Sequence, residues 1–232
     1  MVDPIQAPQL KNNSFFCASE LKQLSEFTTG DNIKTFPPGS YSILSGNNLT
    51  FYRYFTLMSL NYTNDIYIDK DRGLDFSKAI IKDTLTEAVR KRLLSDRPIA
   101  CLLSGGLDSS LIASIVSKLY GKQLETFSIG FKNSPDLIHA RKVADFLKTK
   151  HHEIIVTEEE FLNAIPDTVR RIESYDTTTV RASVGNSLVA KYISENSDAK
   201  VIFNGDGADE LMGGYLYFHK CTNDLDFDNE CR

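Results

Sequence analysis

A glycine-rich turn that joins an apolar strand to an amphipathic helix constrains this chain more than any other stretch. The run RPIAC at residues 97–101 has the length and apolar character of a buried strand, and the string LLSGGLDSS follows at 102–110. Apolar residues then recur at positions 111, 112, 115, 116 and 119, which is the spacing of an amphipathic helix. The sequence therefore predicts a buried strand, a tight turn and a helix, in that order.

The turn has the properties of a phosphate-binding loop. Gly105 and Gly106 carry no Cβ, so the backbone can turn sharply and approach a ligand closely. The helix that follows begins with free N–H groups at the positive end of its dipole, where a phosphate binds well. Ser104, Ser109 and Ser110 add hydroxyl groups. We therefore expect this turn to bind phosphate.

Asp108 distinguishes this loop from the common nucleotide-binding motifs. The chain contains no GKS or GKT triplet, and the third glycine of a dinucleotide fingerprint is absent. A carboxylate beside phosphate is repulsive unless a cation lies between them, which predicts Mg²⁺ between Asp108 and phosphate oxygens. In the alternative interpretation, the stretch is an ordinary tight turn and Asp108 only stabilises the start of the helix.

A second acidic turn follows a strand near the end of the chain. The run KVIF at 200–203 leads into NGDGADELMGGY at 204–215, which places Asp206, Asp209 and Glu210 within five residues. Such a cluster is costly unless a divalent cation neutralises it, and hard oxygen ligands suit Mg²⁺. Because ligands of open α/β sheets bind at the carboxyl ends of the strands, we expect both acidic turns to line one crevice.

The alternation of strand and helix patterns predicts the fold class. We expect an α/β core in which helices cover both faces of a doubly wound parallel sheet. The strands after the first are expected at 123–130, 151–156 and 200–203, and the helices at 76–94, from Pro135 to Lys150 and at 184–195. Residues 173–183 are expected to be a loop.

The first part of the chain is predicted to be a small β-rich fragment. Residues 1–11 are expected to be a loose terminus, followed by a strand at 14–19, a short helix at 20–27 and a hairpin turn at 45–48. A polar linker is expected at 61–75, and the last residues are expected to form an acidic tail.

Composition restricts the partners and the compartment. A net charge of −5, with no basic run, argues against a nucleic-acid partner. The sequence has no recognisable signal peptide and no bilayer-spanning apolar stretch, which argues against a membrane partner. Four cysteines without a Cys-x-x-Cys pair favour a reducing compartment, so a cytoplasmic location is expected. His151 and His152 are adjacent strand residues that point to opposite faces, which argues against a metal site there.

Both glycine-rich strings resemble those of one enzyme family. SGGLDSS is similar to the ATP-pyrophosphatase loop of enzymes that cleave ATP to AMP and pyrophosphate, and NGDGADELMGGYLYFHK resembles the synthetase domain of the asparagine synthetase family. The resemblance implies that aspartate is adenylated with ATP and Mg²⁺ and is then amidated by ammonia to asparagine. It divides the chain into a remnant of a glutaminase domain at 1–60, the linker at 61–75, and an ATP-pyrophosphatase synthetase domain at 76–232 that is incomplete at its C-terminus.

The resemblance also bears on the nitrogen source. The glutaminase domain of the family begins with a cysteine directly after the initiator Met, whereas this chain has Val2. We therefore expect no glutaminase activity and an ammonia-dependent reaction. A separate chain that supplies the missing C-terminal or glutaminase part is a candidate partner.

The resemblance implies roles for individual residues. It places ATP contacts at Leu103, Ser104, Gly105, Gly106, Leu107, Asp108, Ser109, Ser110, Ile129, Asn204 and Gly205. It assigns Mg²⁺ to Asp108 and Asp209, and catalysis to Asp206, Arg181, Thr178 and Thr179. The family has serine at 204 and often glutamate at 206, so Asn204 and Asp206 are departures that keep the turn and the charge.

Two other functions stay open at the level of the sequence. One is a sister adenylating ligase of the β-lactam synthetase type. The other is a catalytically silent protein that binds a nucleotide or a partner chain. The absence of the family's C-terminal lysines favours the silent protein, whereas Asp108 and Asp209 argue against it.

Overall fold

Three antiparallel strand pairs make up the regular structure of the first part of the molecule. The computed structural model describes residues 6–7, 9–11, 14–27, 33–46, 48–55 and 73–230, and the chain divides into two units, 1–77 and 78–232. In the first unit, β1 (Gln6–Ala7) pairs with β4 (Lys34–Thr35), β2 (Gln9–Lys11) with β3 (Ser14–Phe16), and β5 (Ser40–Ser45) with β6 (Asn48–Arg53). This part of the chain is β-rich, as the sequence predicts.

Two expectations for this first unit are wrong. Residues 6–7 and 9–11, which were expected in a loose terminus, form β1 and β2. The helix expected at 20–27 is only a 3-10 turn at Leu21–Gln23, and the side chain of its N-cap residue Glu20 makes no capping hydrogen bond. The hairpin is confirmed, with Ser45 opposite Asn48, although Asn47 lies outside the described residues, as do 61–72 of the expected linker.

The second unit alternates strands and helices. After α1 (Gly73–Arg92), which begins three residues before the expected position, the elements follow in this order: β7 (Ile99–Leu102), α2 (Leu107–Leu119), β8 (Glu125–Phe131), α3 (Pro135–Leu147), β9 (Lys150–Val156), α4 (Glu158–Asn163), α5 (Ile165–Ile172), α6 (Thr177–Asn196), β10 (Val201–Phe203), α7 (Ala208–Met212), a 3-10 helix (Leu216–Lys220) and α8 (Asp224–Glu230).

A four-stranded parallel sheet with the strand order β10-β7-β8-β9 is the centre of this unit. Alternate residues of β7 face opposite sides. Ile99 and Cys101 pack in one core cluster with side chains of α1, α2 and α3, and Ala100 packs in another with side chains of α6. Helices therefore cover both faces, which confirms the predicted doubly wound α/β class.

The expected loop at 173–183 is wrong. Helix α6 begins at Thr177, not at 184, so Thr178, Thr179 and Arg181 are helical residues. Asp176 determines this start, because its carboxylate accepts hydrogen bonds from the backbone nitrogen and the hydroxyl of Thr179, both at 2.8 Å. The preceding helix α5 ends at Ile172, and its C-cap residue Glu173 adopts a left-handed conformation.

The expected acidic tail contains a helix, α8, at residues 224–230. The side-chain oxygen of Asn223 accepts a hydrogen bond from the backbone nitrogen of Asp226 at 2.9 Å and caps the helix. Acidic residues at 224 and 226 then lie in the first turn, where the helix dipole favours negative charge. Within the described part of the chain, no helix has both the length and the apolar character needed to cross a bilayer.

Candidate functional site

The turn between β7 and α2 is packed tightly against α3. Gly105 has a φ of +81°, and a Cβ at this position would lie 2.4 Å from the backbone nitrogen of Ala140 and 2.6 Å from the carbonyl carbon of His139. A residue with a side chain would be strained both by its backbone conformation and by this contact. The glycine is therefore needed to place the turn.

Two serines hold the shape of this turn. The hydroxyl of Ser109 accepts a hydrogen bond from the backbone nitrogen of Ser104 at 3.2 Å and lies 2.9 Å from the hydroxyl of Ser104. The Ser104 hydroxyl in turn accepts a hydrogen bond from the nitrogen of Gly106 at 3.3 Å. The predicted phosphate ligand Ser109 thus makes its hydrogen bonds inside the loop.

The start of α2 presents backbone donors. Gly106 is the N-cap and has no side chain to bond them, and the first bond of the helix runs from the nitrogen of Ser110 to the oxygen of Gly106 at 3.1 Å. The amides of residues 107–109 have no partner among the described residues. Such free amides, at the positive end of a helix dipole, form an anion-binding position.

The second glycine-rich turn lies directly on this helix start. A Cβ at Gly205 would stand 2.6 Å from the nitrogen of Ser109 and 3.0 Å from the Cβ of Asp108. This close approach is possible because β10 and β7 are adjacent parallel strands, with Phe203 opposite Cys101. The turns that leave both strands therefore meet at the same edge of the sheet.

The two turns line one cavity, as predicted from their positions after parallel strands. Its volume is about 310 Å³. The lining residues come from both glycine-rich strings and from α6: Leu102, Ser104, Gly106, Asp108, Ser109, Asn186, Asn204, Gly205, Asp206, Gly207, Ala208, Asp209, Glu210 and Tyr215.

The four carboxylates of this cavity differ in their partners. Asp206 accepts a hydrogen bond from the amide of Asn204 at 2.8 Å, and Glu210 accepts one from the Tyr215 hydroxyl. The bond between Tyr215 and Glu210 lowers the pKa of the Glu210 carboxyl and raises the pKa of Tyr215 to about 12. The carboxylates of Asp108 and Asp209 have no hydrogen-bond or ion-pair partner among the described residues.

The donor set of the cavity fits Mg²⁺ together with phosphate. The described residues contain no group of three or more His, Cys, Asp or Glu placed to hold a metal ion on their own. However, Mg²⁺ in phosphate-transfer sites is usually bound by one or two carboxylates, with phosphate oxygens and water as the other ligands. Asp108 and Asp209 are the two carboxylates of the cavity that are available for this role.

Some predicted site residues do not line the cavity. Thr178, Thr179 and Arg181 are exposed near the start of α6, and Leu103 is buried in the core. Ile129 is partly buried and packs against the core cluster formed by Ala100 and side chains of α6. The other predicted residues outside the lining are Gly105, Leu107 and Ser110, of which Ser110 has a buried hydroxyl without a hydrogen-bond partner among the described residues.

The structure adds cavity residues that were not assigned roles from the sequence. Tyr215 and Glu210 lie in the second acidic string, and their mutual hydrogen bond is invisible in a linear pattern. Asn186 lies on α6 and enters the cavity lining from a different element. Asn186 already lies within the helix expected at 184–195, but no motif in the sequence marks it as a cavity residue.

Comparisons with known proteins identify the family of the chain. A family model described as asparagine synthase matches residues 81–229. An asparagine synthetase (glutamine-hydrolyzing) from Mesocricetus auratus is 51% identical over 155 residues, which are 65% of this chain and 28% of that protein. The corresponding protein from Gallus gallus is 43% identical over 206 residues, which are 82% of this chain and 37% of that protein. This chain thus spans well under half of the length of these relatives.

Among solved structures, an NH3-dependent NAD synthetase from Campylobacter jejuni is similar with a TM-score of 0.43 and 17% sequence identity. The match covers 59% of this chain and 60% of that chain.

Proposed function

The chain belongs to the asparagine synthase family, and we propose that its second unit binds ATP with Mg²⁺ and serves the adenylation of aspartate. In this reaction the side-chain carboxylate of aspartate attacks the α-phosphorus of ATP, pyrophosphate leaves, and ammonia then displaces AMP to give asparagine. We assign residues 76–232 to this ATP-pyrophosphatase domain, 1–60 to a part related to the glutaminase domain, and 61–75 to the linker.

One observation carries the proposal. The free amides of residues 107–109 and the unpartnered carboxylates of Asp108 and Asp209 belong to the same edge of the sheet, where Gly205 brings the two turns together. Amides bind phosphate oxygens directly. Carboxylates in the same cavity require a cation when phosphate is present, so this combination fits Mg²⁺ with a polyphosphate better than either ligand alone.

The residues of the chain then have distinct roles. The amides at the start of α2 hold the phosphate groups. Gly105 and Gly205 carry no side chain, so the first turn can pack against α3 and the second turn can pack against the start of α2. Asp108 and Asp209 would hold Mg²⁺, which neutralises charge that develops on the leaving pyrophosphate. Asp206 is oriented by Asn204 at the mouth of the second turn. Roles for Ile129, Thr178, Thr179 and Arg181 rest on the family resemblance, since none of them lines the cavity.

Ammonia is the nitrogen source that we propose for this chain of 232 residues. In the family resemblance ammonia is the nucleophile that displaces AMP in the synthetase domain, and none of the described residues that line the cavity is a cysteine that could attack glutamine. Amidation is then expected with ammonium salts and not with glutamine. Hydrolysis of glutamine to glutamate by the pure chain would contradict this assignment.

Calorimetric titration of the chain with ATP tests the metal and phosphate roles together. Asp108→Asn and Asp209→Asn should each weaken ATP binding about tenfold or more in Mg²⁺, which corresponds to a loss of roughly 1.4 kcal/mol or more of binding free energy. In EDTA the same substitutions should change ATP binding little. Asp198→Asn, at an exposed position outside the cavity, is the matched control. Equal losses with and without Mg²⁺ would refute the metal role of the two carboxylates.

A second candidate is a protein that binds the nucleotide without turnover. The position of Arg181 outside the cavity lining favours it, because the described cavity then holds no cationic side chain to stabilise charge on the α-phosphate. Measurement of pyrophosphate release with aspartate, ATP and ammonium distinguishes the two. Binding of ATP without pyrophosphate release supports the silent protein, and release of pyrophosphate together with asparagine supports the ligase.

A further inference from the structure

An open apolar groove lies between α1 and α2 and shares no residue with the ATP-site cavity. Its volume is about 610 Å³. Apolar side chains repeat at one-turn spacing on both walls, with Ile81 and Leu85 on α1 and Leu111, Ile115 and Leu119 on α2. Ile81 is 55% exposed and Leu111 is 45% exposed, so the described residues of this unit leave the walls open to solvent.

Three lysines edge the groove, and none of the described residues that line it carries a carboxylate. Lys78 and Lys82 lie one turn apart on α1, and Lys118 lies on α2. Lys82 and Lys118 have no ion-pair partner among the described residues. The hydroxyls of Thr86 and Ser114 are the other polar groups of the lining. Because the whole chain carries a net charge of −5, this positive charge is a local property of the groove.

Both walls of the groove contribute lysines. Only residues 93–98 separate α1 from β7, and α2 runs back along β7 from its carboxyl end. Leu93, just after α1, and Leu119, the last residue of α2, pack against the same core cluster. The two helices therefore run in the same direction. Lys78 and Lys82 lie in the first half of α1, whereas Lys118 lies in the last turn of α2. The apolar wall from Leu111 to Leu119 has a rise of about 12 Å.

We propose that this lysine-edged groove binds an amphipathic helix of a partner chain that carries acidic residues along its flanks. Two parallel helices with apolar residues at one-turn spacing present the ridges against which a third helix packs. Lysines on both walls match carboxylates on both flanks of such a helix. An anionic amphiphile with one head group offers a single negative charge to these three cations.

Fluorescence anisotropy of labelled helical peptides tests this assignment on the whole chain. The first peptide has about 14 residues, roughly four turns, with leucines at helical spacing and glutamates on both flanks. A second keeps the leucines and has lysines on the flanks, and a third keeps the glutamates and has serines in place of the leucines. We expect saturable binding of the first peptide only, and weaker binding at high salt because exposed charges are screened.

Charge reversal of the groove lysines should abolish the preference for the acidic peptide over the basic one. Lys82→Glu/Lys118→Glu is expected to weaken binding of the acidic peptide about tenfold, which corresponds to a loss of roughly 1.4 kcal/mol of binding free energy. Lys142→Glu/Lys148→Glu changes the net charge equally at exposed positions on and after α3 and should leave binding unchanged. Melting temperatures of all variants show whether they are folded.

Four results would overturn the proposal. Equal binding of the acidic and basic peptides would remove the role of the lysines. Binding of hexadecanoate, with no binding of the acidic peptide, would assign the groove to a single-headed amphiphile. Self-association of the chain that Lys82→Glu/Lys118→Glu abolishes would assign it to a second copy. An unchanged affinity of the folded groove variant for the acidic peptide would move the peptide site elsewhere.

Discussion

The backbone of Gly205 lies directly against the amide nitrogen of Ser109, so that a Cβ added at position 205 would stand only 2.6 Å from that nitrogen. Ser109 belongs to the first turn of α2, and its amide is one of the free donors that we assign to phosphate. The position of the second acidic turn is thus determined by its contact with the first turn of α2. A change at Gly205 should therefore affect both turns at once.

Gly205→Ala is expected to lower the free energy of unfolding by about 1–3 kcal/mol and to abolish or strongly weaken ATP binding. The added methyl group must displace the backbone of Asp108 and Ser109, which moves both a carboxylate and the phosphate donors. Chemical denaturation and calorimetric titration with Mg·ATP measure the two effects.

Gly185→Ala is the control for this substitution. Gly185 lies inside α6, and its added Cβ would meet only the side chain of Ile129 at an ordinary 3.9 Å. Alanine should there stabilise the protein by about 0.4–1 kcal/mol, because it restricts the unfolded chain. If Gly205→Ala were as well tolerated as Gly185→Ala, the contact between the two turns would not be needed for the site.

The two glycine-rich turns could be predicted from the sequence because each follows an uninterrupted apolar run, and the parallel sheet then brings them together. The same reasoning placed Cys101 in a buried strand, where it is fully buried. The start of α6 could not be predicted in this way. The stretch of Thr177, Thr178 and Thr179 favours an extended chain locally, and the hydrogen bonds of Asp176 override that preference.

Asp176→Ala is expected to lower the melting temperature and to fray the turn of α6 that carries Thr178, Thr179 and Arg181. The hydrogen bonds from Thr179 hold the pKa of the Asp176 carboxyl below its ordinary value of 3.8. The stabilisation is therefore complete above that value and is lost as the pH falls through the lower pKa of the folded state. The difference in melting temperature between wild type and variant, measured from pH 7 downward, should shrink toward pH 3.

Asp167→Ala provides a comparison, since Asp167 also lies at the start of a helix but pairs with Arg171 instead of capping. Its effect on amide hydrogen exchange should be confined to α5. Undisturbed exchange at the start of α6 in Asp176→Ala would show that the cap does not determine where this helix begins.

Cys101 is expected to resist alkylation in the folded protein. Burial raises the pKa of its thiol to about 12, so the reactive thiolate is scarce at neutral pH. Cys17 is exposed and should react readily. Mass spectrometry after treatment with iodoacetamide at pH 8 should find Cys17 modified and Cys101 unmodified until denaturant is added. Modification of Cys101 at the rate of Cys17 in the native protein would contradict the buried position of β7.

His151 should make the stability of the second unit dependent on pH. Its ring contacts the hydroxyl of Thr126 through Nδ1 at 2.8 Å and that of Ser128 through Nε2 at 3.2 Å. Burial, and then the positive charge of Arg141, holds the pKa of His151 below its ordinary value of 6.5, while Glu153 opposes this shift. The unfolded chain therefore binds the proton more readily than the folded one.

The sign of the effect follows from this difference in proton binding. The stability contributed by the neutral ring is complete above pH 6.5 and is lost as the pH falls from there toward the lower pKa of the folded state. His151→Asn should be less stable than wild type at pH 7.5, because it leaves Thr126 and Ser128 with poorer partners, and its stability should fall less between pH 7.5 and 5.5. His219→Asn, at an exposed position, should retain the wild-type slope. Denaturant unfolding measures the stability of wild type and of His151→Asn at each pH. Parallel pH profiles for the two proteins would show that the pKa of His151 does not differ between the folded and unfolded states. The pH dependence would then have to come from other groups.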